Sequence, residues 1–130
     1  MDFNIYQNLI KSRKFDELVN YLESIRDENK ENWNYFYLYG FAFRNIENYK
    51  QAIDYYNLAL DVMDYESKDI NINLCTIKHN LGIACQLKKD YENSIQAFNE
   101  AIKHDEYYIL IKNFIKDYRE FREKNINKIL

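Results

Sequence analysis

The sequence predicts an all-α fold, on the strength of its turn residues and its apolar periodicity. The 130 residues include two glycines and no proline, which leaves little turn chemistry for a β-sheet protein. Apolar residues recur at i, i+3, i+4 and i+7, the period of an amphipathic helix. The 47% hydrophobic content is enough for the core of one domain, and the net charge of −3 argues against nucleic-acid binding.

Seven helices are expected in order along the chain. The first two carry the spacings Ile5-Tyr6-Leu9 and Phe15-Leu18-Leu22, and the third contains an aromatic run that starts at Tyr35. Asn48 and Asp90 follow short polar breaks and are predicted N-caps for the fourth and sixth helices. The predicted ranges are 2–11, 14–28, 32–45, 48–64, 69–88, 91–104 and 107–128.

An internal repeat organises these helices. Two copies align on Gly40 and Gly82, and every matched pair lies 42 residues apart. A third, weaker copy lies 34 residues before the first. Small residues at the matched positions are expected where two helices approach closely. The matches are Tyr39/Leu81, Phe43/Cys85, Tyr49/Tyr91, Ala52/Ser94, Tyr56/Phe98 and Ala59/Ala101, and the weak copy has Ile5, Tyr6, Leu9, Phe15, Leu18, Leu22 and Ile25.

The repeat motifs resemble those of the tetratricopeptide repeat (TPR) family. The first-helix motif reads Tyr39-Gly40-x-x-Phe43 and then Leu81-Gly82-x-x-Cys85. The resemblance implies a short right-handed superhelical solenoid of antiparallel helix pairs, forming one domain over residues 1–130. Its parts would be a degenerate repeat at about 1–30, repeats at about 33–66 and 75–108, and a C-terminal capping helix at about 107–128.

The chain departs from the family pattern at the ends of its repeats. Asp64 and Glu106 stand where the family usually has proline. The second interval is eight residues longer than the first, with the extra residues around Asp64 to Lys68. We expect them to lengthen the flanking helices or the loop.

The resemblance also implies a concave groove lined by the first helix of each repeat. Amide side chains there can pair with the backbone of an extended peptide, and apolar ones can hold its side chains. The two clear repeats would contribute Asn34, Tyr37, Phe41, Arg44, Asn45, Thr76, His79, Asn80, Ile83, Gln86 and Leu87, and the degenerate repeat Phe3, Gln7, Ile10 and Lys11. A chain rich in Asn, Ile, Tyr and Lys would also place asparagines there without selection for binding.

Other chemistry has little support in the residues. No glycine-rich phosphate loop or nucleophile motif is present, so neither a catalytic residue nor a cofactor is expected. Cys75 and His79 lie one helical turn apart, but no further ligand spacing completes a metal site. The carboxylate clamp found in some TPR proteins would need cations where this chain has Phe3, Gln7, Thr76 and Asn80.

The cysteines and the apolar runs indicate the cellular location of the protein. Cys75 and Cys85 would lie ~15 Å apart along one helix, too far to bridge. Free thiols fit a reducing compartment, and the N-terminus lacks the pattern of a signal peptide. The longest apolar run, residues 35–43, is too short to span a membrane. We expect a cytoplasmic protein with no membrane or nucleic-acid partner.

These features predict a non-catalytic module that binds a protein or peptide of unknown identity through its groove. Two alternatives stay open. Residues 107–128 carry one apolar stripe, which would suit either a cap on the array or the interface of a homodimer in an assembly subunit. The chain could also be the sensing part of a peptide-responsive regulator. The stripe consists of Tyr108, Ile111, Ile115, Tyr118 and Phe121.

Overall fold

A computed structural model describes the backbone of residues 1–129 and the side chains of residues 1–125. Within this range the fold is all-helical, and successive helices pack against each other, which confirms the predicted fold class. A short 3-10 helix, Arg26–Glu28, follows the second α-helix. The α-helices are α1 Phe3–Lys11, α2 Phe15–Ser24, α3 Trp33–Asn45, α4 Tyr49–Asp61, α5 Ile70–Leu87 and α6 Tyr91–Ile129.

Two helices end earlier than predicted. The expected helix 14–28 stops at Ser24, and the Tyr35 hydroxyl donates a 2.6 Å hydrogen bond to the Leu22 carbonyl at this end. The same carbonyl also accepts a longer hydrogen bond from the Ile25 N–H, at 3.3 Å. Tyr35 therefore adds a second donor at a helix end, where the carbonyls have few partners within the helix. The expected helix 48–64 stops at Asp61.

The predicted separation of helices 91–104 and 107–128 is wrong. α6 runs without a break from Tyr91 to Ile129, so the expected capping helix is the second half of the same helix. The junction at residues 104–107 contains no glycine or proline, and its charged residues Asp105 and Glu106 are tolerated on an exposed helix surface. Without the family's usual proline, nothing in the local sequence stops the helix.

The turns inside the three helix pairs share one backbone conformation. Each contains a non-glycine residue with positive φ: Arg13 at 55°, Glu47 at 66° and Lys89 at 71°. In each turn the following residue donates its N–H to the carbonyl five residues earlier, at 2.9 Å. These residues are 34 and then 42 positions apart, the same intervals as the sequence repeat. The first helix pair therefore has the same turn geometry as the two clear repeats.

The two glycines lie where the two helices of a repeat approach closely, as predicted. A Cβ atom added to Gly40 would lie 2.8 Å from the Tyr56 ring and 3.1 Å from the Ala52 carbonyl oxygen. One added to Gly82 would lie 2.7 Å from the Phe98 ring. Each glycine thus lets an aromatic ring from the second helix of its repeat pack directly on the first helix.

A polar and aromatic cluster joins the first helix pair to the second. The Tyr39 and Tyr55 rings stack with centroids 4.2 Å apart and planes 3° apart. Arg26 donates to the Tyr55 hydroxyl at 2.7 Å and pairs with Glu23 at 3.0 Å, and the Tyr39 hydroxyl donates to the same carboxylate. The hydrogen bonds that the Glu23 carboxylate accepts lower its pKa, the one from the Tyr39 hydroxyl more than those from Arg26.

The antiparallel register of α5 and α6 explains why the end of α6 is exposed. Ser94 donates to the Gly82 carbonyl at 2.9 Å, and His104 contacts Asn71 at 3.4 Å. Because α5 begins at Ile70, it has no residues left to cover α6 beyond about residue 106. From residue 107 to residue 124 every side chain is exposed except the half-buried Tyr108.

Candidate binding groove

The predicted groove residues lie on α1, α3 and α5, the first helices of the three pairs. All of them are at least partly accessible, so the predicted set contains no fully buried core residue. The half-buried members are Gln7, Ile10, Asn34, Tyr37, Phe41, Arg44, Asn45, Asn80 and Ile83. The exposed members are Phe3, Lys11, Thr76, His79, Gln86 and Leu87.

Tyr37 and Phe41 form the apolar centre of this surface. Their ring centroids are 6.4 Å apart, and the Tyr37 ring lies 5.8 Å from that of Tyr56 on α4. Phe41 meets Phe15 of α2 edge to face at 5.8 Å. Both aromatics are therefore held in place by the core beneath them while one face stays accessible. Such rigid, half-exposed rings are well suited to contact an apolar ligand group.

Arg44 places a positive charge beside these rings. Its guanidinium carbon lies 5.3 Å from the Phe41 ring centroid, a cation–π distance. Arg44 forms no ion pair with any residue whose side chain the structure describes. Its Nε atom and the Tyr56 hydroxyl are both buried and without a hydrogen-bond partner. Burial raises the pKa of the Tyr56 hydroxyl, and the Arg44 charge opposes that rise.

One hydrogen bond connects the groove residues of the two clear repeats. Asn80 on α5 donates through Nδ2 to the Tyr37 hydroxyl on α3 at 3.3 Å, and also to the Thr76 carbonyl at 2.8 Å. Asn45 similarly donates to the Phe41 carbonyl at 2.8 Å. An amide whose nitrogen is used in this way can still accept a hydrogen bond through its oxygen. The α3 and α5 parts of the surface are thus continuous at Asn80 and Tyr37.

The α5 part is more exposed than the α3 part. His79 lies 5.7 Å from the Phe98 ring, and Leu87 at the helix end is 47% exposed. Within the described residues, no three histidine, cysteine or acidic side chains are grouped closely enough to hold a metal ion. The α5 part therefore offers apolar and amide groups to a ligand.

The α1 residues are less closely connected to the rest. Phe3 is 61% exposed and meets Tyr6 of the same helix edge to face at 5.3 Å. Among the hydrogen bonds and ring contacts of the described side chains, none joins Phe3, Gln7, Ile10 or Lys11 to the α3 or α5 groove residues. The structure brings α3 and α5 together and leaves α1 as an extension.

Tyr56 and Phe15 support the surface but were not among the predicted groove residues. Both belong to second helices of their pairs, and both are buried. In the sequence they appear only as matched positions of the repeat, Tyr56 paired with Phe98 and Phe15 in the weak copy. What the register does not show is that their rings pack directly under Tyr37 and Phe41.

A cavity of about 360 Å³ lies apart from these residues, where α4, α5 and α6 meet. Apolar side chains such as Ile53 and Leu81 line part of it, with Lys88 and Glu100 among its polar residues. None of its lining residues belongs to the predicted groove. It lies between the second helices of the two clear repeats and the helix that separates them.

Comparison with protein families identifies the repeats. The tetratricopeptide repeat model matches residues 34–62 and 76–108, which include both glycine positions and the Asn80–Tyr37 contact. The chain contains two tetratricopeptide repeats. TPR motifs generally mediate protein–protein interaction, so a protein partner is supported at this general level. A comparison with curated proteins finds no match.

The family match leaves the first helix pair outside its bounds. That residues 1–30 form a degenerate TPR repeat stays a prediction, supported by the shared turn conformation at Arg13, Glu47 and Lys89. No helix among the described residues combines the length and the hydrophobicity that a membrane span requires.

Proposed function

We propose that this TPR chain is a non-catalytic module that binds a peptide or protein segment along α1, α3 and α5. The observation that carries the proposal is the Asn80–Tyr37 hydrogen bond at 3.3 Å, because it makes the groove residues of two repeats one surface. A binding surface that spans two repeats can contact several residues of an extended ligand.

The side chains of this surface indicate the ligand chemistry. Tyr37, Phe41 and Ile83 offer half-buried apolar area for aliphatic or aromatic ligand side chains. Arg44 has a charge that no described acidic side chain pairs, so it favours a ligand carboxylate or carbonyl beside Phe41. We expect a ligand that combines apolar and acidic residues.

Removing two central groups tests the groove. The Tyr37→Ala, Asn80→Ala double variant should bind a partner captured from cytosol at least about tenfold more weakly, a loss of ~1.4 kcal/mol. The reason is that it removes an apolar contact and the amide that joins the two repeats. Affinity is measured by titration with the purified partner, and helicity by circular dichroism.

A matched control distinguishes the groove from the rest of the surface. Tyr91→Ala with Asn99→Ala makes the same two chemical changes at exposed positions on α6 and should leave affinity unchanged. Because Tyr37 packs on Tyr56, the single Asn80→Ala variant serves where the double variant loses helicity. Full affinity in a folded groove variant would contradict the proposal and direct attention to the cavity or to α6.

Self-association through residues 107–128 is a second candidate function. It is favoured by the large apolar side chains exposed on the unpartnered half of α6, among them Leu110 and Phe121 at 65% and Phe114 at 72%. Monomeric proteins rarely expose an apolar patch of this kind. Light scattering on the full chain should give twice the 16.0 kDa chain mass, and a mass of 16.0 kDa at high concentration would contradict it.

We also propose a cytoplasmic location. Cys75 and Cys85 both lie on α5 and both are free thiols. Burial raises the pKa of each thiol, which keeps it in the less reactive protonated form. Unpaired thiols of this kind fit a reducing compartment. Fractionation of the source cells would test the location.

A further inference from the structure

The exposed half of α6 has the periodicity of a coiled coil. Its largest exposed side chains include a row whose spacing alternates between four and three residues. This average of 3.5 residues keeps a seam on one side of a helix that winds around a partner. We call this row the C-terminal seam; it consists of Tyr107, Ile111, Phe114, Tyr118 and Phe121, and Asn125 occupies the next position in the same alternation.

We propose that the C-terminal seam pairs, parallel and in register, with the same seam of a second copy of this chain. The proposal rests on the self-association proposed above and adds its geometry. In heptad terms, Ile111, Tyr118 and Asn125 take the a positions, and Tyr107, Phe114 and Phe121 take the d positions. The second half of α6 in one copy thereby covers the part of the other copy's α6 that α5 is too short to cover.

Charges beside the seam favour the parallel arrangement. Asp117 lies at a g position and Arg122 at the e position of the following heptad, and these two positions face each other across a parallel pair. The two-fold symmetry makes the Asp117–Arg122 contact twice. The equivalent pair one heptad earlier, Leu110 and Ile115, is apolar on both sides and extends the buried surface.

The antiparallel arrangement is less favourable for the same residues. Antiparallel helices that overlap the whole seam place Phe114 opposite Tyr118 of the other copy. The two Asp117 side chains would then lie near the symmetry axis, where like charges repel. Asn125 adds a second argument, because a single asparagine at an a position specifies the register and oligomeric state of a parallel pair.

Pairing of this kind places both TPR arrays at the same end of the dimer. The two grooves would then be linked through two rigid helices of about 34 Å each, taking 1.5 Å for each of residues 107–129. A ligand with two binding segments gains affinity from two linked sites without any new contact. The second copy would thus raise the affinity for such a two-segment ligand.

Charge exchange in the full-length chain tests the pairing. The Asp117→Arg variant should raise the dimer dissociation constant about tenfold at low salt, because it opposes Arg122 with a second cation twice per dimer. The Asp117→Arg, Arg122→Asp double variant should restore the original value. Glu123→Arg, on the exposed side away from the seam, should leave it unchanged. Sedimentation at several concentrations measures all four proteins.

A cysteine pair tests orientation independently. In a Cys75→Ser background, the Asn125→Cys variant should form an intermolecular disulfide at residue 125, because parallel helices bring the two positions together. Antiparallel helices would place residue 125 of one copy near residue 107 of the other, ~27 Å from its counterpart along the axis. Peptide mapping after mild oxidation identifies the linked residues.

The outcomes separate this inference from the self-association on which it rests. A dimer that shows charge rescue and the disulfide at residue 125 supports both. A dimer that shows neither overturns the parallel pairing and leaves self-association standing. A monomer at all concentrations, or a defined trimer, overturns the parallel two-copy pairing, and only the monomer also overturns self-association.

Discussion

Individual residues set how closely the helices of each pair approach. Gly40 and Gly82 occupy the same repeat position, and in each case an aromatic ring of the next helix lies where a Cβ atom would be. The ring under Gly40 belongs to Tyr56, which is fully buried, so it has little room to move. The small residue and the large one on facing helices act as a complementary pair.

A larger side chain at Gly40 should destabilise the fold. Gly40→Leu places atoms where the Tyr56 ring and the Ala52 carbonyl already lie, at 2.8 and 3.1 Å from the new Cβ. We expect a loss of about 1–3 kcal/mol in the free energy of unfolding, measured by urea denaturation. Gln51→Leu, a leucine on the exposed side of α4, is the control and should cost less than about 0.5 kcal/mol. Equal stability of the two variants would contradict the packing described.

At the scale of the helices, the turns inside each pair carry a conformational cost. Arg13, Glu47 and Lys89 adopt positive φ, a conformation that costs an ordinary residue about 1–2 kcal/mol. Because none of these three residues is a glycine, the sequence alone does not predict a positive φ at these positions. The tertiary contacts on both sides of each turn hold the conformation against this cost.

Relieving one of these turns should stabilise the chain. Glu47→Gly removes the Cβ that disfavours φ of 66°, and part of the gain is offset by the larger entropy of glycine in the unfolded state. We expect a net stabilisation of about 0.5–1 kcal/mol, seen as a higher urea midpoint. The same change in the first turn of α6, Glu92→Gly, should instead destabilise by about 0.5–1 kcal/mol. A destabilised Glu47→Gly variant would show that the Glu47 side chain makes a contact whose stabilisation exceeds the cost of the positive φ.

The prediction of α6 shows the limit of local patterns. Asp105 and Glu106 stand near the point where the family usually has proline, so a break was expected there. The continuous helix shows that charged residues alone do not end a helix. An actual stop needs a residue that cannot continue the helix, or a neighbouring element that turns the chain.

The whole molecule is an array whose two ends differ. At the N-terminal end the Arg26, Glu23, Tyr39 and Tyr55 cluster holds the first helix pair to the second. Beyond about residue 106 the array continues as one helix that no other element of the described residues covers. In a repeat protein each unit contacts mainly its neighbours, so we expect association at an uncovered end. Under the two proposals, the groove and the C-terminal seam would serve different partners.

Much of the candidate site could be predicted from the repeat register. The register placed Tyr37, Phe41, Asn80 and Ile83 on first helices, and the structure finds each of them half-buried. It could not anticipate that the Asn80 amide reaches the Tyr37 hydroxyl. That contact depends on the distance between two repeats whose spacing in this chain is lengthened by eight residues.

The sequence by itself determined the all-α fold, the repeat intervals of 34 and 42 residues, and the glycine contacts. These features follow from local periodicity and from the size of single side chains, which each segment carries with it. Only the tertiary structure decided that α6 is continuous, that no helix within residues 1–129 covers its second half, and that Arg26 joins two helix pairs. Those features depend on how the helices lie against one another: α5 begins at Ile70 and packs antiparallel on α6, so it covers α6 only to about residue 106.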